Sequence, residues 1–253
     1  MNISLKDLPT LPGKDIKEDD IKDKIKDLHE EMIELQRIMY AQGKYSMLIV
    51  LQGMDASGKD GTINKIFSGV NPLGCDVVAF KMPTPEEQDH DFLWRVHKHA
   101  PAKGMIQIFN RSHYEDVLVP KVEGYISKDE LEQRYEDIKN FETLLTNNNT
   151  VILKFYLNIS REVQKERLEE RLNNPQKYWK HKDSDRESRK KWDDYMDAYE
   201  DVFKYTNTRN APWHIVAADE NWYKVYQIIS TIVETMKDKM KLRWPGLETE
   251  KFD

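Results

Sequence analysis

The residues Gly53-Met54-Asp55-Ala56-Ser57-Gly58-Lys59 have the types and spacing of a loop that cradles phosphate. Two glycines permit the tight turn, and the loop amides point inward as an anion nest. The backbone of Gly53, Ala56, Ser57, Gly58, Asp60 and Gly61 is expected to line it. Lys59 places a compact positive charge on the terminal phosphates. The next position is unusual: Asp60 stands where loops of this kind carry the Ser or Thr that holds magnesium. Asp55 is a second carboxylate inside the loop. A carboxylate beside phosphate repels it unless a cation lies between, so the loop implies Mg²⁺, with Mn²⁺ as a substitute. Asp55 is the leading ligand and Asp60 a weaker one, since a cap on the following helix explains Asp60 equally well.

A second cluster, Asn110-Arg111-Ser112-His113-Tyr114-Glu115-Asp116, follows an apolar run. Ligands gather at the carboxyl ends of parallel strands, so this cluster is expected to face the loop. Arg111 offers a planar fork for phosphate. Glu115 and Asp116 are candidates to hold metal or orient an acceptor; the alternative is a favourable charge pair at a helix N-terminus. His113 is assigned to the scaffold, because phosphoryl transfer needs positioning and charge more than a strong base. A third group is basic. Arg167 and Arg171 share one helix face, and Lys177, Lys180, Lys182, Arg186, Arg189, Lys190 and Lys191 follow. Closing over the loop, they would surround phosphate with cations and exclude water. The alternative is a solvated face neutralised by Glu166, Glu169 and Glu170. The run RESRKKW is short, precedes acidic residues and has no accompanying nucleic-acid motif, so nucleic acid is not an expected partner.

The elements that must position these groups can be read from apolar patterning. Nearly continuous runs at Tyr45–Leu51, Val77–Phe80, Met105–Phe109, Val151–Leu157 and His214–Ala217 suit strands buried on both faces. Helical patterns separate them at Glu86–His99, Lys128–Thr146, Ser160–Leu172 and Asn221–Lys241. Strand alternating with helix predicts a three-layer α/β fold around a central parallel sheet, as a single domain over 1–253. Residues 1–17 read as an extended arm broken by Pro9, Pro12 and Gly13. A helix from Asp20 to Gln42 follows, so arm and helix occupy about 1–44. Its stripe of Ile21, Ile25, Leu28, Met32, Leu35 and Met39 is expected to dock on the sheet, with pairing between subunits as the alternative. Asn173, Asn174 and Pro175 stop the helix that starts at Ser160, and Ser184 and Glu187 have the spacing of a capping box that restarts one. Trp192, Met196, Tyr199 and Phe203 are its apolar face. The segment of about 160–192 therefore reads as an inserted helical lid.

The 253 residues are 39% hydrophobic and 33% charged, with a formal net charge of -6. An acidic protein that binds a polyanion must concentrate its cations locally, which the three groups above would do. Cys75 is the only cysteine, so no intrachain disulfide or cysteine zinc cage forms, and it reads as an apolar filler. The histidines lack zinc-protease spacing. No run is long enough to span a membrane, and the N-terminus lacks a signal-peptide pattern; the cytoplasm is the expected compartment.

The blocks LQGMDASGKDGTI, KMPTPEEQDHDFLWR, FNRSHYEDVLV, RLNNPQKYWKHKDSDRESRKKWDDYMDAYED and APWHIVAAD resemble the polyphosphate kinase 2 family. The resemblance covers roughly Met1 to Lys241, and its long blocks are more specific than the phosphate loop alone. The run Ser112-His113-Tyr114-Glu115-Asp116-Val117-Leu118 resembles the class III branch, whose members phosphorylate nucleoside mono- and diphosphates from polyphosphate. The resemblance implies a thymidylate-kinase-like P-loop kinase fold with a helical lid, magnesium and a basic polyphosphate channel. It also implies adenine or guanine nucleotides as partners and assembly as homo-dimers or homo-tetramers. Asp55 and Lys59 match its Walker A site, Arg111 its second strand motif, and Arg167 and Arg171 its lid. Lys81 and Arg95 lie in a matching block and are expected at phosphate, as is Lys180. Many relatives have Asp where Asn110 stands, and an amide is a poorer magnesium ligand; Glu115 is the residue placed to compensate. The rival readings are an ATP-dependent nucleoside monophosphate kinase and a non-catalytic P-loop module that senses polyphosphate or nucleotide.

Overall fold

The structure, a computed structural model, describes residues 3–181 and 183–246. Lys182 of the basic loop, and the Ser184 side chain of the anticipated capping box, lie outside what it describes. In chain order the elements begin with α1 (Glu18–Gln42), β1 (Ser46–Gln52), α2 (Lys59–Phe67) and β2 (Cys75–Ala79). Then come the single turns α3 (Pro85–Gln88) and α4 (Trp94–His97), followed by β3 (Ile106–Asn110), α5 (Glu115–Glu123), α6 (Lys128–Asn147) and β4 (Thr150–Asn158). The last are α7 (Arg161–Asn173), α8 (Asp183–Lys190), α9 (Trp192–Thr206), β5 (Trp213–Ala217) and α10 (Asn221–Lys239).

The strands form one parallel sheet in the order β2-β3-β1-β4-β5. Every residue of β1 is buried, as its unbroken apolar run requires for a central strand covered on both faces. Leu51 is in register with Asn110 on one side and Phe155 on the other, and Ala79 is in register with Asn110. The carboxyl ends of β1, β2 and β3 are therefore level. The chain leaves β1 towards β2 and leaves β3 and β4 the opposite way, which makes a topological switch point at these ends, where such sheets bind ligands.

The helices fall into two packed groups. Helices α1 and α2 pack on α10, which also covers β4 and β5, while α5, α6 and α9 pack together, with α6 on β4. Side chains alternate across a strand, and Lys154 and Tyr156 of β4 meet α6 and α9. Trp192, Met196, Tyr199 and Phe203 are all buried, as the spacing predicts. Within the chain the α1 stripe packs mainly on helix α10, with Ile21, Met32 and Met39 buried and Ile25, Leu28 and Leu35 half-buried.

Three expectations are corrected. The helix expected over Glu86–His99 is two single turns. Thr84 caps the first in a capping box with Glu87, and the Asp91 side chain accepts from Leu93 N–H at 3.0 Å, which restarts the chain in a new direction. The helix expected to run on from the Ser184 region is also two, since the backbone leaves helical geometry at Lys191 before α9 begins. The arm is not wholly extended: Leu5–Asp7 makes one 3₁₀ turn that buries Leu5, and Thr10 C=O accepts from Asp219 N–H at 3.0 Å at the end of β5.

Candidate active site

The loop after β1 has the backbone its sequence demands. Gly53 has φ 149° and Gly58 φ 94°, and Ala56 is a non-glycine residue at φ 63°. A Cβ at Gly53 would meet the Leu157 carbonyl oxygen at 3.0 Å, so only glycine lets the loop pass the end of β4. Lys59 opens α2 and folds back over the loop, donating to Gly53 C=O at 2.7 Å and Met54 C=O at 3.2 Å. Burial pulls its ammonium down from the ordinary lysine value to about 8; Arg111 adds to the fall, while Asp55, Glu115 and Asp60 oppose it.

Arg111 caps β3 with a left-handed backbone, φ 62°. That turn aims its guanidinium across the loop, where it bonds Asp55 and, at 3.1 Å, Glu115 Oε2. Glu115, then Asp55, holds the guanidinium above its ordinary value against the opposing effect of burial. Glu115 and Asp116 are the first residues of α5, so the helix-terminus reading and the site reading describe the same place. The two carboxylates part company there. Glu115 joins Arg111 and Asp55, whereas Asp116 turns to Arg95 at 2.9 Å. Arg95 is buried, also donates to Lys81 C=O at 2.9 Å, and lies over the Phe80 ring. Arg95, Lys81 and Asp116 thus form a flank of the site, with Asp116 committed to an arginine and its carboxyl raised by burial despite that partner.

Asp60 is in the first turn of α2, whose cap residue is Gly58. Its carboxylate accepts from Asn110 Nδ2 at 2.8 Å and from Lys180 Nζ at 2.9 Å. Burial would raise that carboxyl, but Lys180 and Asn110 hold it below the ordinary value. Lys180 ends a 3₁₀ turn, Tyr178–Lys180, so the basic segment reaches back over the loop. Arg167 does something the sequence did not suggest. Its guanidinium donates to Ala56 C=O and Ser57 C=O at 3.2 and 3.3 Å, and to Ala218 C=O and Asp219 C=O at 3.0 and 2.6 Å. It ties the phosphate loop to the β5–α10 connection. Arg171, one turn on, pairs with Asp185 of α8 at 3.0 Å, linking the two helices of the segment.

Among the described residues, no cluster of three metal-binding side chains is assembled. The donors near the loop are nonetheless hard carboxylate oxygens, the type that suits Mg²⁺ or Mn²⁺ rather than a soft metal. Asp55 and Glu115 converge on one guanidinium, and Asp60 meets an amide and an ammonium, so each already faces a positive or donor group that a cation beside phosphate could share.

Several groups at the site were not singled out from sequence. Buried Ser112 and Gln52 lie beneath Glu115; with the Gln52 amide turned so that its nitrogen faces the carboxylate, it donates to Glu115 Oε1 at 3.1 Å. Gln164 Nε2 donates to Asp55 C=O at 3.1 Å, and its own oxygen accepts from Arg189 at 2.8 Å. Lys224 of α10 reaches the back of the loop. Among these only Lys224 had a legible signal, a cation on the apolar face of a helix.

Comparison with known proteins agrees with this geometry. Residues 15–243 match the family model described as polyphosphate kinase 2. The AMP/ADP-polyphosphate phosphotransferase of Meiothermus ruber is 46% identical over 88% of this chain and 83% of its own length. The chain belongs to the polyphosphate kinase 2 family. The ADP-polyphosphate phosphotransferase of Rhodopseudomonas palustris is 40% identical over 85% of this chain and 78% of its own. A crystal structure of polyphosphate kinase 2 from Arthrobacter aurescens superposes with a TM-score of 0.94 at 39% identity, covering 98% of this chain and 90% of that one. The P-loop kinase fold with its parallel five-strand sheet is thus that of a polyphosphate kinase 2 protein.

Proposed function

We propose that this protein transfers a phosphoryl group between inorganic polyphosphate and nucleoside mono- and diphosphates, AMP and ADP among them, reversibly and with a divalent cation. The observation that carries the reading is the gathering of cations from four elements on one anion nest: Lys59 of α2, Arg111 after β3, Arg167 of α7 and Lys180 of the basic turn. A site that binds phosphate at both donor and acceptor needs that much positive charge, in a protein whose net charge is -6.

In this reading the polyphosphate end lies over the loop amides and Lys59. The acceptor phosphate lies by Arg111, and the acceptor oxygen attacks in line. The O–P bond to the chain breaks as the new O–P bond forms, and the chain leaves one phosphate shorter. Lys59, Arg111 and Lys180 hold the negative charge that moves onto the leaving oxygen. Asp55 and Glu115, with Asp60 as a weaker candidate, are the residues placed to hold Mg²⁺ or Mn²⁺; when bound, that ion neutralises phosphate charge and orients the two phosphates. Asn110 leaves the second strand motif without its usual carboxylate, and Glu115 supplies one from the next turn. Asp116 is withdrawn from the ligand set on this reading, because Arg95 holds it. Residues 160–192 act as a lid, with the Lys180–Asp60 contact marking where it closes. A cytoplasmic, homo-oligomeric enzyme is the expected setting.

The test is to supply ADP and polyphosphate with magnesium and no nucleoside triphosphate, and to measure ATP. The same assay with AMP reads the first phosphorylation. If ADP formed from AMP only when ATP was the donor, the protein would be a nucleotide-dependent kinase, and the proposal would be wrong.

A further inference from the structure

Lys224 is the least expected charge in the molecule. It lies in the first turn of α10 in line with Ile228 and Ile232, on the face that packs inward, and is 1% exposed. Its ammonium donates to Ser57 C=O at 3.2 Å and to Asn221 Oδ1 at 2.9 Å. A Cβ built on Gly58 would lie 2.5 Å from Lys224 Nζ, so the ammonium sits directly against the loop where the nest turns into α2. The contrast with the other fully buried lysine is informative. Lys154 has Glu142 at 2.7 Å, whereas no carboxylate among the described residues pairs with Lys224. The charged groups acting on it from α2 and α7 are Arg167, Lys65 and Lys59, all cations. A buried ammonium surrounded by cations is costly unless something negative approaches. Its ammonium lies against the Ser57–Gly58 backbone, whose other side is the nest where phosphate is read to bind.

We propose that Lys224 is a positioning residue for the phosphate-binding loop, holding Ser57 from behind and supplying a buried positive charge whose counter-ion is the bound polyphosphate end. The inference rests on reading the loop as a polyphosphate site, and deepens it. Burial first, then Arg167, Lys65 and Lys59, pull the free ammonium down to about 7. Arrival of a polyanion reverses the local field and raises that value again. Binding above neutral pH is therefore accompanied by proton uptake at Lys224, and the site tightens on phosphate as it takes up the proton.

The test uses the full chain, tripolyphosphate as probe, and the variant Lys224→Met, which keeps the length of the side chain and removes the charge. Calorimetry at pH 8 in buffers of different ionisation enthalpy gives affinity and protons taken up; the probe's own protonation cancels between the two proteins. The expected result is an affinity at least about tenfold weaker, a reasonable loss for one charge several ångströms from a polyanion at intermediate dielectric. Proton uptake should fall by about half a proton or more. The thermal midpoint should be unchanged or raised, because a buried amine without a carboxylate partner among the described residues is replaced by an apolar side chain of similar length. Lys224→Arg, charged at every pH, should recover most of the affinity and keep the reduced proton uptake. A lowered midpoint with affinity intact, or equal affinity and equal proton uptake in wild type and Lys224→Met, would make Lys224 mere scaffold and overturn the inference while leaving the loop assignment standing. Failure of the wild-type protein to bind tripolyphosphate at all would overturn both.

Discussion

Lys154 stands in the middle of β4 with Leu153 and Phe155 on either side, all three buried. Its ammonium donates to Glu142 Oε2 at 2.7 Å, Tyr114 Oη at 2.9 Å and Thr206 C=O at 2.9 Å, while Tyr114 Oη donates to Glu142 Oε1 at 2.7 Å. Burial would raise the Glu142 carboxyl, but Lys154 and then His113 outweigh it and hold it below the ordinary glutamate value. Lys154→Met strands that carboxylate in the core, which costs about 3–5 kcal/mol. Lys154→Met with Glu142→Gln removes the stranded charge as well, so the pair of changes should cost less than the two single losses added together, by about 1–3 kcal/mol. Urea unfolding followed by tryptophan fluorescence reads both, because Trp213 lies 5.2 Å from the ammonium. The sign of the acid limb follows from Glu142. Its depressed carboxyl contributes stability that is fully present above the ordinary glutamate range and is lost as pH falls below that range through the depressed folded value. Lys154→Met removes the charge that depresses it, so the cost of the change should be largest near neutral pH and should shrink as acid protonates the stranded carboxyl. Activity should fall too, since Tyr114 adjoins Glu115 and fixes the turn that presents Arg111. A loss below about 1 kcal/mol for Lys154→Met, or strict additivity in the double variant, would refute the claim that this pair is an ionised, mutually dependent unit.

Other expectations are direct. Lys59→Ala should cut transfer by roughly two to three orders of magnitude or more, measured as initial rate with polyphosphate, while circular dichroism stays unchanged. In the wild-type protein, kcat/KM for polyphosphate should fall as pH rises through about 8, where the free Lys59 ammonium loses its proton. Asp55→Asn should sharply raise the magnesium concentration needed for half-maximal rate; an unchanged requirement would move the metal to Glu115 or Asp60. Arg167→Gln should reduce turnover by roughly two orders of magnitude, because the loop loses its tie to Ala218 and Asp219. Arg171→Gln, which among the described residues loses the bond to Asp185, should do less, and equal effects would show that the two arginines act alike.

What the sequence could say followed from periodicity and from one motif. Five apolar runs became five parallel strands, each within two residues of its expected ends; β1, β3 and β4 are buried as their unbroken runs require, whereas β2, expected to be covered on both faces, is an edge strand left largely exposed. The tight loop at Gly53–Lys59 was legible because its glycines are required by backbone geometry alone. The 86–99 segment misled, since its apolar spacing is helical while Thr84 and Asp91 cap two separate turns. Helix α5 was hidden behind the chemistry of its first residues. Arg167 illustrates a harder limit: its helix face was predictable, but not that it would grip backbone carbonyls from two distant segments. Lys154 and Lys224 were readable anomalies, lysines on apolar faces, yet their partners come from α6 and from the phosphate loop, and no local pattern joins those. Cys75 fits its reading as filler, since burial pushes its thiol up to about 11.

The central claim is that phosphate passes from polyphosphate to a nucleotide at the Lys59 loop. It is tested most directly by incubating the purified chain with ADP, magnesium and polyphosphate labelled with ³²P, and following label into the γ-position of ATP. The account predicts labelled ATP in the absence of any triphosphate donor, lost with Lys59→Ala and retained with Lys6→Ala, an exposed residue remote from the loop in sequence. ATP without label, or label transfer that persists at the wild-type rate in Lys59→Ala, would contradict it.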